Sequence, residues 1–396
     1  MTDLTTLNDQ PVYDPFSQEI VDNPYPTYQT MLARAPVLKN EEHGFWTLCR
    51  FDDVQAAARN WKTFSSDEGV DLDFMAKLMC GPGDFLDYDP PRHDQLREVI
   101  KRRFTPKAMD VLTEKIQSIV DELIDAIVER GRGDVVAELA MPLPLRVVTA
   151  LLGFPETDLP YLTDMQTRSI TRTPGELRLP KVATDATAEL RDYFAQIAES
   201  RRRAPADDII TDMVTNRAGD RYLTEAEIVG MIFLIWIGGF DTTRSLIVNS
   251  IQVLDEHPDQ RAILAARPEI MREAIEELLR FESPVQNAAR TTQTEVTMHD
   301  VTIPAGARVA LLFGAANRDP RRWDNPDTLD LTRDPKRNVA FGEGIHHCLG
   351  APLARLEGRI ALTTFLERIP EYAIEYPLER LPNQNLRLFT HLNVSV

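Results

Sequence analysis

Cysteine is scarce in this sequence. Its three cysteines, Cys49, Cys80 and Cys348, lie far apart along 396 residues. An odd number of cysteines at wide spacing argues against a disulfide framework and for a reducing compartment. No pair of them has the spacing of a structural zinc site. We therefore expect free thiols in an intracellular protein.

Positive charge and long apolar runs are also in short supply. The formal net charge is −18, which disfavours nucleic acid and anionic membranes as partners. Residues 1–13 lack the basic-then-apolar pattern of a signal peptide. The most apolar run, 228–240, is interrupted by three glycines and is too short to span a bilayer. The sequence therefore predicts a cytoplasmic protein that binds neither nucleic acid nor membrane.

No segment of the chain marks a domain boundary. The length alone would allow two domains. Prolines are nevertheless spread throughout, and no Ser/Gly run, low-complexity tract or internal repeat is present. We therefore predict a single domain over residues 1–396.

Helical patterns dominate the middle of the chain. Apolar residues recur with a period of 3.6 over 116–128, and Thr224–Glu227 forms a capping box that opens a long helix. A short helix is predicted over 52–59, with Asp52 as its N-cap. Short strands are predicted at 44–51 and around 296–312. We therefore predict a mainly α fold with small β-sheets.

The most informative segment is a glycine-rich loop around the last cysteine, Phe341–Gly350, with the sequence FGEGIHHCLG. Its three glycines permit turns and close approaches that a Cβ atom forbids. A helical pattern begins just behind Cys348, so orphan N–H groups and the positive end of the helix dipole favour a thiolate there. A single thiolate held by backbone donors is how a protein presents one axial sulfur to a haem iron. The alternative interpretation is a buried cysteine in a tight turn.

This loop resembles the haem-ligand signature of the cytochrome P-450 superfamily, Phe-Gly-x-Gly-x-His-x-Cys-x-Gly. All six fixed positions match, namely Phe341, Gly342, Gly344, His346, Cys348 and Gly350. The resemblance covers nearly the whole chain and points to the soluble bacterial type. It implies a triangular helical prism that holds haem b between a distal and a proximal helix. It also implies that Cys348 is the axial iron ligand, with Phe341, Gly342 and Gly350 beside the cofactor.

A second motif, Gly238-Gly239-Phe240-Asp241-Thr242-Thr243, lies inside the apolar run. Each glycine in a helix costs about 1 kcal/mol relative to alanine, and a buried aspartate costs more unless it is paired. A threonine hydroxyl can bond back to a carbonyl and bend the helix, which opens a groove. The motif resembles the family's oxygen-activation segment, in which Thr242 would hydrogen-bond the bound dioxygen and Asp241 would gate proton delivery. The alternative is a kinked helix with a satisfied threonine.

Charged residues elsewhere match supporting positions of the family. Glu277 and Arg280 share one helix face, and the resemblance implies that they are buried and support the cysteine loop, with Arg333 as a looser match. An exposed ion pair is the alternative. Two carboxylates buried with a flat apolar ring require charged or hydrogen-bonding partners. The resemblance assigns the haem propionates to His93, Arg97, Arg290 and His346.

The resemblance implies a haem-thiolate monooxygenase. Such an enzyme inserts one atom of dioxygen into a C–H bond of an organic substrate, or removes an alkyl group, and the second atom leaves as water. Electrons would come from an NAD(P)H-dependent reductase through an acidic ferredoxin docked on the basic segment 92–107, and the protein would be a monomer. The alternatives are a peroxide-driven peroxygenase, which usually lacks the acid–alcohol pair, a haem sensor or carrier, and an interaction protein without haem.

Family positions also suggest a substrate pocket. It would draw on the distal helix, the segment before Arg290 and the C-terminal loop, through Leu234, Ile237, Gly238, Val285, Gln286, Asn287, Ala288, Leu388 and Phe389. Weaker candidates are Phe74, Met79 and Phe85. The acidic segment 67–89 disfavours an anionic substrate, whereas the opposite lid carries Arg168, Arg172, Arg178 and Lys181. We predict a compact, apolar, neutral substrate such as a terpenoid or aromatic compound, held by one or two hydrogen bonds from Gln286 or Asn287.

Overall fold

The computed structural model describes residues 11–72, 83–169, 171, 180–334 and 337–396, and helices make up most of it. The longer helices are Tyr25–Arg34, Phe51–Arg59, Arg92–Ile100, Thr113–Arg130, Pro142–Leu152, Leu159–Ser169, Lys181–Arg203, Glu225–Glu256, Pro258–Ala266, Met271–Phe281 and Ala351–Arg368. The shorter helices are Gln18–Asp22, Pro106–Asp110, Ile209–Thr215 and Phe313–Ala316, with a π-helix at Val136–Ala140. The predicted mainly α architecture is confirmed.

The strands form small sheets at the edges of the helical body. The largest has the order Val37–Asn40, Phe45–Leu48, Arg308–Leu312, Asn287–Thr292 and Phe64–Ser65. A second sheet joins Ala373–Ile374, Asn393–Ser395 and Arg132–Asp134, and two short hairpins pair Arg217–Ala218 with Arg221–Tyr222 and Val296–Met298 with Val301–Ile303. In the largest sheet Arg290 is paired with Val309. This register places a cation on an inner strand.

The central helix, Glu225–Glu256, forms the middle of the main apolar core. It begins at the predicted capping box, in which the Glu227 N–H donates to Thr224 Oγ1 and the Thr224 N–H donates to Glu227 Oε2. Two hydrogen bonds from the Arg221 guanidinium lower the pKa of Glu227 to about 2. By length and composition this helix could span a membrane, but 72% of its most apolar window is buried inside the protein. It is therefore a core helix.

The proximal helix, Ala351–Arg368, packs directly against the central helix. Gly358 allows this approach, because a Cβ atom there would lie 2.8 Å from Leu246 Cδ2. Cys348 precedes the first turn of the proximal helix, and Asp241 and Thr242 lie in the middle of the central helix. The two motifs singled out in the sequence are thus carried by two helices in contact.

One predicted helix start is wrong. The helix Phe51–Arg59 begins one residue before Asp52, and its N-cap residue, Arg50, accepts no side-chain bond. The Phe51 N–H donates instead to Asp319 Oδ2 at 3.0 Å. A carboxylate 268 residues away therefore supplies the cap that a local aspartate was expected to supply.

Candidate functional site

The cysteine loop is held in one conformation by its own backbone and by a neighbouring helix. The Cys348 N–H donates to the Phe341 carbonyl at 2.8 Å and closes the loop. Gly342 and Gly344 have φ angles of 68° and 73°, in the left-handed region that favours glycine. A Cβ atom on Gly344 would lie 2.6 Å from the Ala58 carbonyl oxygen. The loop therefore requires glycine at position 344 both for its turn and for its packing.

The thiol of Cys348 lies among donors that favour its ionised form. Burial raises the pKa of this thiol, while the N–H groups of Gly350 and Ala351 and the guanidinium groups of Arg97 and Arg355 act in the opposite direction. A metal cation at the sulfur would overcome the effect of burial, because a coordinated thiol is deprotonated outright. The described residues contain no group of three or more His, Cys, Asp or Glu side chains that could hold a metal. A haem bound at Cys348 would bring the other ligands of its iron with it.

The four predicted propionate partners, buried His93, Arg290 and His346 and partly buried Arg97, lie in one group, which we call the basic cluster. The rings of His93 and His346 lie 4.7 Å apart. Burial, together with Arg290, His93 and Arg97, lowers the pKa of His346 to about 2. Burial also lowers the pKa of Arg290 to about 10, with Arg308 adding to the effect and Asp89 opposing it. Cations that disfavour one another in this way fit a ligand with two carboxylates.

Several buried polar atoms of the basic cluster have no hydrogen-bond partner within the described protein. His346 is buried, and both of its ring nitrogens lack a protein partner, as does His93 Nε2. Arg290 is buried and donates from Nη1 to the adjacent Ala289 carbonyl at 2.7 Å. Buried donors without partners are costly. They fit an anionic ligand that accepts their hydrogen bonds, which is what haem propionates do.

The distal motif leaves a short stretch of the continuous central helix accessible. Thr242 Oγ1 donates to the Gly238 carbonyl at 2.9 Å, one turn earlier. Ile237, Gly238 and Thr242 are partly or fully exposed within an otherwise buried stretch. A Cβ atom on Gly238 would meet nothing within 4 Å, whereas one on Gly239 would lie 3.3 Å from Val148 Cγ2. Gly238 therefore faces open space that a flat ligand can enter, and Gly239 packs on a neighbouring helix.

Asp241 is buried and has a cationic partner that the sequence reasoning missed. Its Oδ1 lies 3.6 Å from Nη1 of Arg244, and Arg244 Nη2 donates to the Phe389 carbonyl at 2.7 Å. The missed signal was an arginine within a buried helical run, three positions after the aspartate and hence on the same helix face.

Glu277 and Arg280 form a buried pair rather than a surface pair. Arg280 donates from Nε and Nη2 to the two Glu277 oxygens at 2.7 and 2.8 Å, and its side chain is 1% exposed. Arg333 Nε also donates to Glu277, at 3.1 Å. Arg280 Nη1 donates to the carbonyls of Asn317 and Pro326 at 3.0 and 2.7 Å. The pair thus ties the helix Met271–Phe281 to the chain that leads into the cysteine loop.

Glu276, the residue before this pair, connects to the cysteine loop itself. It accepts hydrogen bonds from Arg355 Nη2 at 3.1 Å and from Asn338 Nδ2 at 3.3 Å. The Arg355 guanidinium also lies 4.4 Å from the centre of the Phe341 ring. Sequence reasoning did not select Glu276, because a glutamate on an amphipathic helix is ordinarily a surface residue.

The predicted substrate residues divide into two groups. Ile237, Val285 and Ala288 are partly exposed, and Gly238 is exposed, so these are available to a ligand. The other apolar candidates, Leu234, Leu388 and Phe389, are buried.

Gln286, predicted to hydrogen-bond the substrate, has hydrogen-bond partners within the protein. Its Oε1 accepts from the Tyr28 hydroxyl at 3.1 Å, and its Nε2 donates to the Ser283 carbonyl at 2.7 Å. Its buried amide is therefore committed to the protein. Asn287 is also buried and donates to the Gln384 carbonyl at 2.8 Å. A hydrogen bond from either side chain to a substrate stays a prediction.

The remaining substrate candidates and the lid cations are only partly covered by the described residues. Phe74, Met79, Arg172 and Arg178 lie outside the described residues. Phe85 packs beside the basic cluster. The centre of its ring lies 6.0 Å from the centre of the His93 ring and 5.8 Å from the Arg97 guanidinium. Arg168 is paired with Glu189, and Lys181 is paired with Asp185. The two described lid cations are therefore already neutralised.

The basic segment 92–107 presents fewer outward cations than its sequence suggested. Arg103 is paired with Asp212 at 2.6 Å and with Asp207 at 2.7 Å, so its charge is compensated within the protein. Arg102 and Lys107 are exposed. Lys101 is exposed as well, but it is paired with Glu98.

Comparisons with known proteins agree with this geometry. A family model described as Cytochrome P450 matches residues 177–384. Cytochrome P450 130 of Mycobacterium tuberculosis is 38% identical over 364 residues, which cover 89% of each chain. The vitamin D(3) 25-hydroxylase of Pseudonocardia autotrophica is 36% identical over 390 residues, which cover 96% of this chain and 94% of that protein. The crystal structure of CYP109E1 from Bacillus megaterium in complex with testosterone has 31% identity and a TM-score of 0.86, covering 96% of this chain and 99% of its own.

Proposed function

The chain belongs to the cytochrome P450 family, and from that premise we propose that it oxidises a compact, neutral, largely apolar organic molecule. Members of this family are monooxygenases that bind haem b through an axial cysteine thiolate. We assign the axial sulfur to Cys348. The observation that carries this assignment is the placement of its thiol against the N–H groups of Gly350 and Ala351, at the start of the proximal helix.

Different residues of the site would hold different parts of the cofactor. Cys348 supplies the sulfur, and the basic cluster supplies partners for the two propionates. When bound, the haem supplies the redox chemistry, which places one atom of dioxygen in the substrate while the other leaves as water. Gly238 and Ile237 leave the room above the cofactor that the substrate needs. The role of the protein is to orient the substrate, exclude water and deliver protons.

Proton delivery is assigned to Asp241 and Thr242. The Thr242 hydroxyl bonds to the Gly238 carbonyl and half-faces the open space, so it can donate a proton there. Asp241 is the adjacent acid, buried beside Arg244. A proton taken from solvent by the Asp241 carboxylate passes to the threonine hydroxyl as that hydroxyl gives up its own. This pair favours dioxygen and a reductant over peroxide as the source of oxygen.

A neutral substrate is supported by three observations. The side chains available to a ligand, Ile237, Val285 and Ala288, are apolar. The lid cations Arg168 and Lys181 are paired with carboxylates. One relative is named a vitamin D(3) hydroxylase and a solved neighbour holds testosterone, both neutral and apolar molecules. Binding would then be driven by desolvation, with shape selecting among candidates.

Electron supply is assigned to an acidic ferredoxin in the cytoplasm, with its NAD(P)H-dependent reductase. The cysteine loop is bordered by Arg59 and Arg337, which share the Glu343 carboxylate, and Arg102 and Lys107 are exposed nearby in sequence to Arg97. This side is locally basic in a chain of net charge −18. Opposite charge on the partner would speed the encounter.

Two experiments test the function. The reduced protein with carbon monoxide should show the strongly red-shifted Soret band of a thiolate haem. A panel pairing each neutral terpenoid, steroid or aromatic compound with its carboxylic acid analogue should shift the spin state for the neutral members. A shift for the acids alone would overturn the substrate proposal. Isotopically labelled dioxygen, supplied with a reductant, should label the product, whereas label from peroxide alone would identify a peroxygenase.

A further inference from the structure

Arg244 is a charged side chain in the middle of the apolar core. It lies on the central helix and is 3% exposed. Burial lowers the pKa of this guanidinium, and the carboxylates of Asp241 and Asp134 oppose the decrease. A buried arginine is costly unless it is paired and hydrogen-bonded. Its contacts therefore indicate what it does.

The guanidinium has two contacts on different parts of the distal site. Nη1 lies 3.6 Å from Asp241 Oδ1, which is longer than a charge-assisted hydrogen bond and makes the contact electrostatic. Nη2 donates to the Phe389 carbonyl at 2.7 Å. One side chain thus joins the acid assigned to proton delivery to the backbone of a segment predicted to border the substrate.

Two further side chains of the central helix hold the same C-terminal segment. Ser245 Oγ donates to the Arg387 carbonyl at 2.6 Å, and Asn249 Nδ2 donates to the same carbonyl at 3.0 Å. These contacts anchor the segment at Arg387, two residues before Phe389. They provide a reference against which the effect of Arg244 on Asp241 can be measured.

We propose that Arg244 is a positioning residue for Asp241, and that it links this carboxylate to the backbone at Phe389, so that a shift of the C-terminal segment on substrate binding adjusts the proton gate. The inference rests on the proposed function. Arg244 keeps its own proton throughout, while Asp241 gains a proton from solvent and loses one to Thr242. In the low-dielectric core, a small change in the 3.6 Å separation between Arg244 Nη1 and Asp241 Oδ1 changes the energy of their electrostatic attraction. Movement of the Phe389 backbone would produce such a change.

The direct test is the pKa of Asp241, measured by carbon-13 NMR on protein labelled at aspartate carboxyl carbons. The reduced carbon monoxide complex is diamagnetic and suits this measurement, and Asp241→Asn assigns the signal. Arg244→Gln removes the charge and should raise the pKa of Asp241 by about 1 unit or more. Arg244→Lys should restore part of the difference. Adding a substrate that shifts the spin state should move the Asp241 signal in the wild type and less in Arg244→Gln.

Ser245→Ala is the matched control, because it loosens the same segment and leaves Arg244 in place. Hydrogen exchange of the amides at 387–390 should speed up in Ser245→Ala and in Arg244→Gln, with the Asp241 pKa shifted only in the latter. An unchanged Asp241 pKa in both Arg244 variants, with faster exchange, would make Arg244 a structural tie and overturn the inference. If Arg244→Gln does not fold, the Asp241 pKa in Arg244→Lys decides, because lysine keeps the charge in a different geometry. A shifted pKa would support the inference, and an unchanged pKa would overturn it.

The two proposals fail separately. The Asp241 pKa is read without turnover, so a wild type that yields no oxidised product would count against the proposed function while the NMR result still decides the role of Arg244. With turnover, the solvent isotope effect on product formation should increase about twofold or more in Arg244→Gln and stay at the wild-type value in Ser245→Ala. A merely structural tie would not separate these two variants.

Discussion

Arg97 donates a hydrogen bond of 2.6 Å from Nη2 to the carbonyl oxygen of His347, the residue before Cys348. The same guanidinium favours the ionised form of the Cys348 thiol and disfavours protonation of His346. One side chain therefore touches the loop that carries the axial sulfur and the cluster assigned to the propionates. We therefore expect Arg97 to couple binding of the cofactor to ionisation of the sulfur.

The first prediction concerns this coupling. Arg97→Gln should release haem about tenfold faster or more, since a hydrogen bond to a charged group contributes about 1.5–3 kcal/mol. Arg97→Lys should release haem at a rate between those of the wild type and Arg97→Gln. The measurement is haem transfer to an excess of apomyoglobin. Arg102→Gln, an exposed residue on the following turn, serves as the control and should match the wild type. Equal release rates for Arg97→Gln and the wild type would remove Arg97 from the cofactor site.

Cys348→Ser should abolish the red-shifted Soret band of the reduced carbon monoxide complex. The reason is that a serine hydroxyl does not replace a thiolate as an electron-donating ligand. Cys49→Ser is the matched control, because burial raises the pKa of the Cys49 thiol to about 12 and keeps it protonated. A variant lacking Cys348 that kept the band would show that another residue is the ligand.

Thr242→Ala should bind haem and substrate as well as the wild type while losing most of its coupling. The hydroxyl is assigned to proton delivery, so electrons would leave as hydrogen peroxide. The measurement is product formed per reduced nicotinamide consumed, together with peroxide released. Thr243→Val, which changes a buried neighbour, should retain coupling. Unchanged coupling in Thr242→Ala would exclude this residue from the mechanism.

Reversing two exposed charges should weaken ferredoxin docking. Arg102→Glu combined with Lys107→Glu should slow electron transfer most at low salt, by roughly tenfold, because surface charges are screened as ionic strength rises. Lys181→Glu, a single charge reversal on the lid side, should have little effect. Arg103 is unsuitable for reversal, since it is paired with Asp212 and Asp207. A loss that does not depend on salt would contradict electrostatic docking.

The buried Glu282 network predicts a dependence of stability on pH. Burial alone would raise the pKa of Glu282, but Arg387, Arg380 and the Tyr25 hydroxyl outweigh it and lower this pKa to about 2. The distances to Glu282 are 2.8 Å from Arg387 Nε, 3.2 Å from Arg380 Nη2 and 2.5 Å from the Tyr25 hydroxyl. Because the folded pKa lies below the unfolded value, this stabilisation is present above about pH 4.3 and is lost as the pH falls toward 2.

Glu282→Gln should therefore lower the free energy of unfolding by about 3–5 kcal/mol near neutral pH, because it leaves two buried arginines without their carboxylate. The difference from the wild type should shrink as the pH falls below about 4.3. Urea unfolding at a series of pH values measures both effects. Glu276→Gln, a change in a partly exposed pair, is the comparison. A constant difference at all pH values would refute the linkage.

Features that depend on near neighbours could be determined from the sequence. The cysteine loop requires left-handed backbone at Gly342 and Gly344, and only glycine adopts it readily. The capping box of Thr224 and Glu227 and the bond from Thr242 to Gly238 span three or four residues. Such features involve one helical turn or one loop, so residue type and spacing are sufficient to predict them.

Side-chain partners far apart in sequence were decided only by the tertiary structure. Arg97 reaches His347 across 250 positions, and Arg244 reaches Phe389 across 145. The amide of Gln286 is committed to Tyr28, and Arg103 is committed to Asp212 rather than to a partner protein. A long polar side chain can bond to any group within reach, and packing determines which group that is. The sequence therefore determined the haem-thiolate signature of this protein, while the fold determined which of its cations are paired inside the protein and which remain exposed.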